Sequence, residues 1–435
     1  MKRTIITLLS TAALVAAVSA TAAPAPQTAQ AARTLDIYVV DTEGGEAILF
    51  VTPTGETVLL DSGNPGERDH QRIMEVFKVA GVTKIDHMIS THYHVDHIGG
   101  LQQLAAAVPI AHYVDHGPTT ETREQVAGFQ EAYAALRAKA KHTVVKPGDK
   151  LPVAGIDWTI VTSAGQALTN PLPGAGQDNS AACAATQAKP LPANDPDNAA
   201  SVGSLVQFGQ FRTIQLGDLY WAKELEFMCP QNRLGTVDLY LVSHHGLDSS
   251  GSPALVHGIK PRVAVMQNGT RKGGAVATNR TLFSSPGFQD LWQLHWSYNA
   301  MVELNPPGLF IANVDDAATI AGILTAPPPA PRGGGAGGRQ GGAPAPAGPA
   351  AAPGATPVPA PVAAPAVPQG APGAATPAPA PGTGAPAPAA QGGAGGRGGG
   401  VPPHTPAHYI KISAQANGTF TVTNSRNGFS KTYTK

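Results

Sequence analysis

The stretch that decides the fold is Thr91-His92-Tyr93-His94-Val95-Asp96-His97-Ile98-Gly99-Gly100. It follows Lys84–Ser90, an apolar run ending in polar residues that reads as a buried strand. On extended backbone, alternate side chains share a face, so His92 and His94 point to one side. Asp96 and His97 fall where the next helix, Ile98–Ala107, begins and face a second point. Imidazoles and a carboxylate so spaced suit Zn²⁺ and related divalent ions, with Mn²⁺ the choice if the site favours a harder ion.

Working outward, further polar motifs close predicted strands. Leu35–Val40, Ala47–Val51 and Glu56–Asp61 are separated by Glu43-Gly44-Gly45 and Pro53-Thr54-Gly55 and read as a meander that ends on Leu60-Asp61-Ser62-Gly63. Gln71–Val79 is a short helix, and the strand Ile110–Val114 leads to Asp115-His116-Gly117. A long amphipathic helix follows over Thr119–Ala140, opened by Thr119, Thr120 and Glu121. Strand patterns return at His142–Val145, Asp157–Val161, Ser204–Phe208, Phe211–Leu216, Val237–Ser243 and Arg262–Gln267, with a helical piece at Trp221–Met228. Phe211–Leu216 runs into Gly217-Asp218, and Val237–Ser243 into His244-His245-Gly246. The class is α/β. A lone histidine is usually a satisfied core or surface residue, so His87, His112, His142, His257 and His295 are given no role.

The segment His92–His97 resembles the HxHxDH signature of the metallo-β-lactamase superfamily. Gly217-Asp218, Ser243-His244-His245-Gly246 and Leu60-Asp61-Ser62-Gly63 are similar to its later motifs and to its early turn, in the same order. The resemblance covers roughly Leu35–Gln267 and implies an αββα sandwich. It implies that His92 and His94 bind a first metal and Asp96 and His97 a second. Asp218 would bridge the two, and His244 would complete the second site with His245 as the alternative. Asp61 would support the ligands from behind. Many members place a third histidine where this chain has Asp197 and Asn198, so the first metal is expected to be weakly held, or the centre to hold one ion. His116, at a strand end, is expected to serve as a substrate-binding or auxiliary residue, and His245 to act as a general acid or hold an anionic oxygen. Within the superfamily the likeness is greatest to the exported hydrolase domains of DNA-uptake (competence) channels. It is carried by Asp41-Thr42-Glu43-Gly44-Gly45-Glu46-Ala47, by the His-His-Gly motif and by the turn Asp197-Asn198-Ala199-Ala200-Ser201-Val202.

Composition sets the limits of the folded part. In Ala326–Pro403 all but 13 residues are Ala, Gly or Pro, a tract that cannot pack a core and reads as disordered. Beyond it, His408–Ser413 and Thr419–Thr423 alternate around Ala416-Asn417-Gly418, a hairpin signal in which Tyr409, Lys411 and Ser413, then Phe420 and Val422, share the period of two. Such a hairpin needs a sheet to lie on, so the tract is read as an insertion in one domain: 21–325 as its body, 326–403 as the insertion and 404–435 as the hairpin returning to it. Met1-Lys2-Arg3, an uncharged apolar run from Thr4 to Val18 and the small residues up to Ala20 read as a signal peptide over 1–20, so the chain is expected in the periplasm or outside the cell, with no membrane segment after cleavage. Two cysteines, Cys183 and Cys229, leave open either a disulfide or two buried thiols. Gly165–Asn198, rich in Pro, Gly, Asn and Ala, reads as a lid or binding loop.

Lys+Arg and Asp+Glu balance at 29 each. Lys2, Arg3, Arg332, Arg339 and Arg397 lie in the leader and the tract, which hold no acid, so the folded remainder is net acidic and long nucleic acid is disfavoured as a partner. No Gly-x-Ser-x-Gly elbow or P-loop offers another nucleophile, so hydrolysis is expected to use a metal-bound hydroxide, oriented by Asp96. Phosphodiesters and other small phosphate esters are the first expectation for the substrate. Lactam or thioester (acyl) hydrolysis is the second. A non-catalytic metal-binding surface module, with the tract contacting wall or matrix, is the third.

Overall fold

The computed structural model describes residues 33–121, 124–300, 302–314 and 407–435. The expected leader and the Ala/Gly/Pro-rich tract lie outside the described residues. Two sheets make up the framework. In the first, the strand order is Ser430–Tyr433, Phe420–Asn424, Ile410–Ala414, Leu35–Val39, Ile48–Val51, Thr57–Leu60, His87–Ile89, His112–Asp115 and Lys141–Val144. Pairing is antiparallel up to Thr57–Leu60 and parallel from there on, so these later strands end along one edge. The second sheet repeats the device: Phe211–Gln215, Leu239–Leu241, Val263–Met266, Asp290–His295 and Ile311–Asn313 run parallel, and Gly203–Phe208 and Asp157–Ser163 extend it antiparallel.

Burial follows strand alternation and gives four layers. Leu35, Ile37 and Phe50 of the first sheet share one core with Trp158, Phe211 and Trp292 of the second. Phe50 meets Trp158 edge-on at 5.0 Å, the arrangement that the aromatic quadrupoles favour. The outer face of the first sheet carries the helices Glu67–Ala80, Leu101–Ala107 and Glu124–Arg137, through Ile73, Phe77, Leu104 and Tyr133. Trp221–Met228, Pro253–Ile259 and Val276–Phe283 cover the second, through Phe227, Leu255 and Leu282. This is the αββα sandwich.

The C-terminal strands differ from the sequence reading in face and number. Ile410–Ala414 pairs antiparallel with Leu35–Val39, but the buried face is Ile410, Ile412 and Ala414, with Tyr409, Lys411 and Ser413 only half-buried. Two isoleucines outweigh one tyrosine in apolar area removed from water, and Lys411 is left at the rim, where it pairs with Asp36 at 2.7 Å. A third strand, Ser430–Tyr433, lies beyond the expected hairpin. Its Tyr433 hydroxyl accepts a hydrogen bond from the Trp292 indole at 3.0 Å, across to the other sheet.

Candidate metal centre

Parallel strands bring their carboxyl ends together, and every motif singled out above follows such an end. Thr57–Leu60 delivers Asp61, and His87–Ile89 delivers Thr91 to His94. A single turn over Val95–Ile98 then presents Asp96 and His97. From the second sheet, Phe211–Gln215 delivers Asp218 through Gly217, whose φ of 55° is left-handed backbone that glycine adopts without strain. Leu239–Leu241 delivers His244 and His245, both left-handed at φ 53° and 55°. Two such non-glycine residues in succession cost on the order of 1–2 kcal/mol each, a strain that recurs at functional sites. The carbonyl of His245 fixes the turn from above: a Cβ on Gly273 would stand 1.8 Å from it.

Asp218 Oδ2 lies 3.3 Å from His97 Nε2, 3.5 Å from His245 Nε2, 3.4 Å from His244 Nε2 and 3.9 Å from His92 Nε2. Asp96 Oδ2 is 3.5 Å from His97 Nε2 and 3.3 Å from His245 Nε2. Two donor sets result, Asp96 with His97, Asp218 and His245, and His92 with His94 and Asp218, each with its ligand atoms within 4.8 Å of one another. The Nε2 atoms of His92, His94, His97 and His245 and Oδ1 of Asp218 are buried and make no aligned hydrogen bond. Buried polar atoms are normally partnered, so five orphans converging on one region are the arrangement a divalent ion satisfies, and the residues fit one.

Burial and charge act differently on the members of this cluster. Burial and the neighbouring His97 and His94 push His92 well below the usual imidazole range, toward the neutral form that binds metal. Against the opposing effect of burial, Lys272 and His97 hold Asp96 well below the usual carboxylate range, and His244, His97 and His245 do the same for Asp218. His97 is pulled well above its ordinary value by Asp218, Asp96 and Asp61, which outweigh its burial. A cation is what this cluster of carboxylates asks for.

Several residues stand elsewhere than the sequence suggested. His245, not His244, joins the set of Asp96, His97 and Asp218. The resemblance put His244 first and His245 as the alternative, but the strand ends at Leu241 and the left-handed pair turns the chain so that His245 faces the set. His244 is held by the Ser249 and Ser250 hydroxyls at 3.0 and 3.1 Å from Nδ1, which leaves Nε2 facing the centre. His116 is buried against Tyr93, with ring centroids 4.4 Å apart, and its Nε2 is 3.7 Å from Asp197, so it stands behind the loop of His92 to His94. Asp197 accepts from the Tyr93 amide at 2.6 Å and from the Thr120 amide and hydroxyl at 2.9 and 2.7 Å, which makes it a clamp between two loops. Asn198 donates to the Tyr220 hydroxyl at 2.9 Å. Asp61 accepts from the Thr91 amide at 2.8 Å and contacts His97 Nδ1 at 2.7 Å, which orients that imidazole.

Sequence reasoning passed over four residues here. Lys272, in the glycine-flanked turn Arg271-Lys272-Gly273, contacts Asp96 Oδ2. Glu121 and Asp195 flank His94 Nε2 at 3.0 and 2.9 Å. Glu46 accepts from Gln215 at 2.6 Å behind the centre. Cys183 and Cys229 form a disulfide between the helix Ser180–Ala184 and the end of Trp221–Met228.

Comparison with known proteins agrees with the ligand pattern. Residues 41–177 match the family model described as the metallo-beta-lactamase superfamily. No curated protein sequence matches the chain. Among solved structures, the chain is similar to the metallo-beta-lactamase fold protein YhfI from Bacillus subtilis, at 14% identity over 59% of this chain and 96% of that one, with a TM-score of 0.37. It is similar to a diphosphatase from the PhnP family, at 15% identity over 59% and 94%, TM-score 0.33. A third is CmlA, a diiron beta-hydroxylase from Streptomyces venezuelae, at 15% identity over 54% and 45%, TM-score 0.33, where the chain spans under half of that protein's length. The matched segment holds His92, His94, Asp96 and His97 in its signature order, so this chain carries a metallo-β-lactamase superfamily domain.

Proposed function

We propose that the protein is an exported, metal-dependent hydrolase of small anionic esters, phosphodiesters and other phosphate esters first, and that its nearest kin are the competence-type domains. The observation that carries the hydrolase reading is the set of buried imidazole nitrogens left without aligned hydrogen bonds around Asp218. Export rests on the charged-then-apolar leader. Bound there, divalent ions supply a water acidified toward neutral pH and a Lewis acid for the substrate oxygen.

The protein's own groups set the rest. His92, His94, Asp96, His97, Asp218 and His245 are the holding set. Asp96, at the rim of that set and in contact with Lys272, would orient the attacking water. The Ser249 and Ser250 hydroxyls can donate to His244 Nδ1, which keeps the imidazole proton on Nε2, toward the centre. With burial holding His244 down to about 4, it is neutral at pH 7 and placed to give a hydrogen bond from Nε2 to the leaving oxygen. Lys272, partly exposed beside Asp96, supplies the positive charge that narrows the substrate to anions. A panel of chromogenic phosphodiester, phosphomonoester, thioester and lactam substrates, on protein of measured metal content, tests this. Turnover of phosphate esters, with KM raised several-fold in Lys272→Ala, is the expected result. Turnover of lactams or thioesters alone would move the reading to acyl hydrolysis, and a metal-replete protein inert to all four classes would return it to a binding module.

A further inference from the structure

We infer that Glu121 and Asp195 form with His94 a histidine–carboxylate set, adjoining His92 and Asp218 through that shared histidine, that holds a hard divalent cation such as Mn²⁺ in preference to Zn²⁺. The inference rests on the reading of the centre as a metal centre, and concerns which residues beside it take a second kind of ion.

The geometry is built rather than incidental. Thr119 Oγ1 accepts from the Glu121 amide at 3.0 Å, and Asp197 anchors Thr120 by two hydrogen bonds, so the turn that carries Glu121 is fixed against the loop of His92 to His94. The Tyr220 hydroxyl holds Asp195 Oδ2 at 3.0 Å, while Oδ1 lies 2.9 Å from His94 Nε2. Glu121 Oε2 reaches the same nitrogen at 3.0 Å, and its side chain is fully buried. Yet His94 Nε2, itself buried, has no aligned hydrogen bond. One ring nitrogen can donate one proton along one line, and here two carboxylate oxygens meet it out of line. Three ligand atoms from three segments converge as they do around an ion. Imidazole suits most divalent ions, whereas added carboxylates shift the preference toward Mn²⁺ and Mg²⁺. The cluster of Asp96, His97, Asp218 and His245 has two imidazoles among its four ligands, against one among the three here.

The test uses full-length protein stripped by a chelator. Mn²⁺ alone is titrated in, with free Mn²⁺ followed by its electron paramagnetic resonance signal, and Zn²⁺ is titrated separately by competition with a chromogenic chelator. Wild type should take up a Mn²⁺ equivalent that the Glu121→Gln/Asp195→Asn double variant loses or binds at least about tenfold more weakly. Zn²⁺ uptake that depends on His97 and His245 should be unchanged. Because each substitution is isosteric, the singles serve if the double variant fails to fold, and each is expected to weaken Mn²⁺ alone. Mn²⁺ affinity equal to wild type in these variants, or a wild type that takes up no Mn²⁺, overturns the inference. Metal uptake is read without turnover. An inert protein that binds Mn²⁺ in this way would sink the hydrolase reading and leave the inference standing, and an active one whose variants keep Mn²⁺ would do the reverse.

Discussion

Two groups of histidines sit at opposite ends of parallel strands, and they are built in opposite ways. At the amino ends, His87 and His112 begin their strands and form a closed chain. Glu56 Oε1 meets His87 Nε2 at 2.8 Å, His87 Nδ1 meets His112 Nδ1 at 3.0 Å, and His112 Nε2 meets Thr143 Oγ1 at 2.8 Å. Every nitrogen there has a partner. At the carboxyl ends, His92, His94, His97 and His245 leave Nε2 buried and without an aligned hydrogen bond, near carboxylates that carry charge. Density of histidine therefore does not mark a site. What marks it is a set of lone pairs that the protein alone does not satisfy.

The contrast breaks most readily at Asp218, which both donor sets share. Asp218→Ala should lower metal content at both and cut turnover about a thousandfold, the rate equivalent of the several kcal/mol that Lewis-acid stabilisation contributes. Full metal content in that variant, measured by elemental analysis, would dissolve the distinction between the two ends. A smaller effect sharpens it. His245→Ala should lose one metal equivalent with its activity, whereas His244→Ala should keep the metal and lower kcat, because His244 lies outside the clustered donors. Metal loss confined to the His244 variant would exchange the two roles.

The carboxyl-end cluster was legible because strands announce themselves by apolar runs and the residues that follow a strand inherit its direction. Thr91 to His97, Asp61 and Gly217-Asp218 could be read in this way. The same rule failed at His244 and His245, where two left-handed residues reverse the chain and nothing in the sequence fixes φ at a histidine. Glu121, Asp195 and Lys272 were not legible for a related reason: they reach the centre from loops, whose course depends on contacts such as Asp197 with Tyr93 and Thr120. Two strands went unread: Asp290–His295 carries the polar Gln293 and His295 into a buried row, and Ile311–Asn313 is only three residues long.

Asp197 gives a third, intermediate test, since it is fully buried at the site end yet behaves as the His87–His112 chain does, with its bonds satisfied. Asp197→Ala leaves the amides of Tyr93 and Thr120 without acceptors and should cost about 1–3 kcal/mol, read as a Tm lower by several degrees. Zn²⁺ uptake at Asp96, His97 and His245 should survive it. Its loss along with stability would show that the clamp carries the second site as well.

The smallest effect is expected at the amino end, and it comes from protons. With Nδ1 facing Nδ1 at 3.0 Å, only one proton fits between His87 and His112, so the pair cannot hold both imidazoles as cations. Burial, with Lys141, His87 and His142 nearby, lowers His112 from 6.5 to about 4; Glu56 and Thr143 are the other polar groups facing the pair. The unfolded chain then takes a proton near pH 6.5 that the folded chain refuses until about pH 4, so the unfolded state binds more protons in that interval and stability falls with falling pH. The contribution is full above pH 6.5, declines between there and about pH 4, and changes no further below. Tm of chelator-treated protein should fall across this window, and His112→Gln, which cannot titrate, should flatten that part of the fall while leaving metal uptake at neutral pH unchanged. Equal slopes for wild type and variant would mean that the acid response belongs to the carboxyl-end cluster, where Asp96 and Asp218 are held below the usual carboxylate range and lose their charge only in stronger acid.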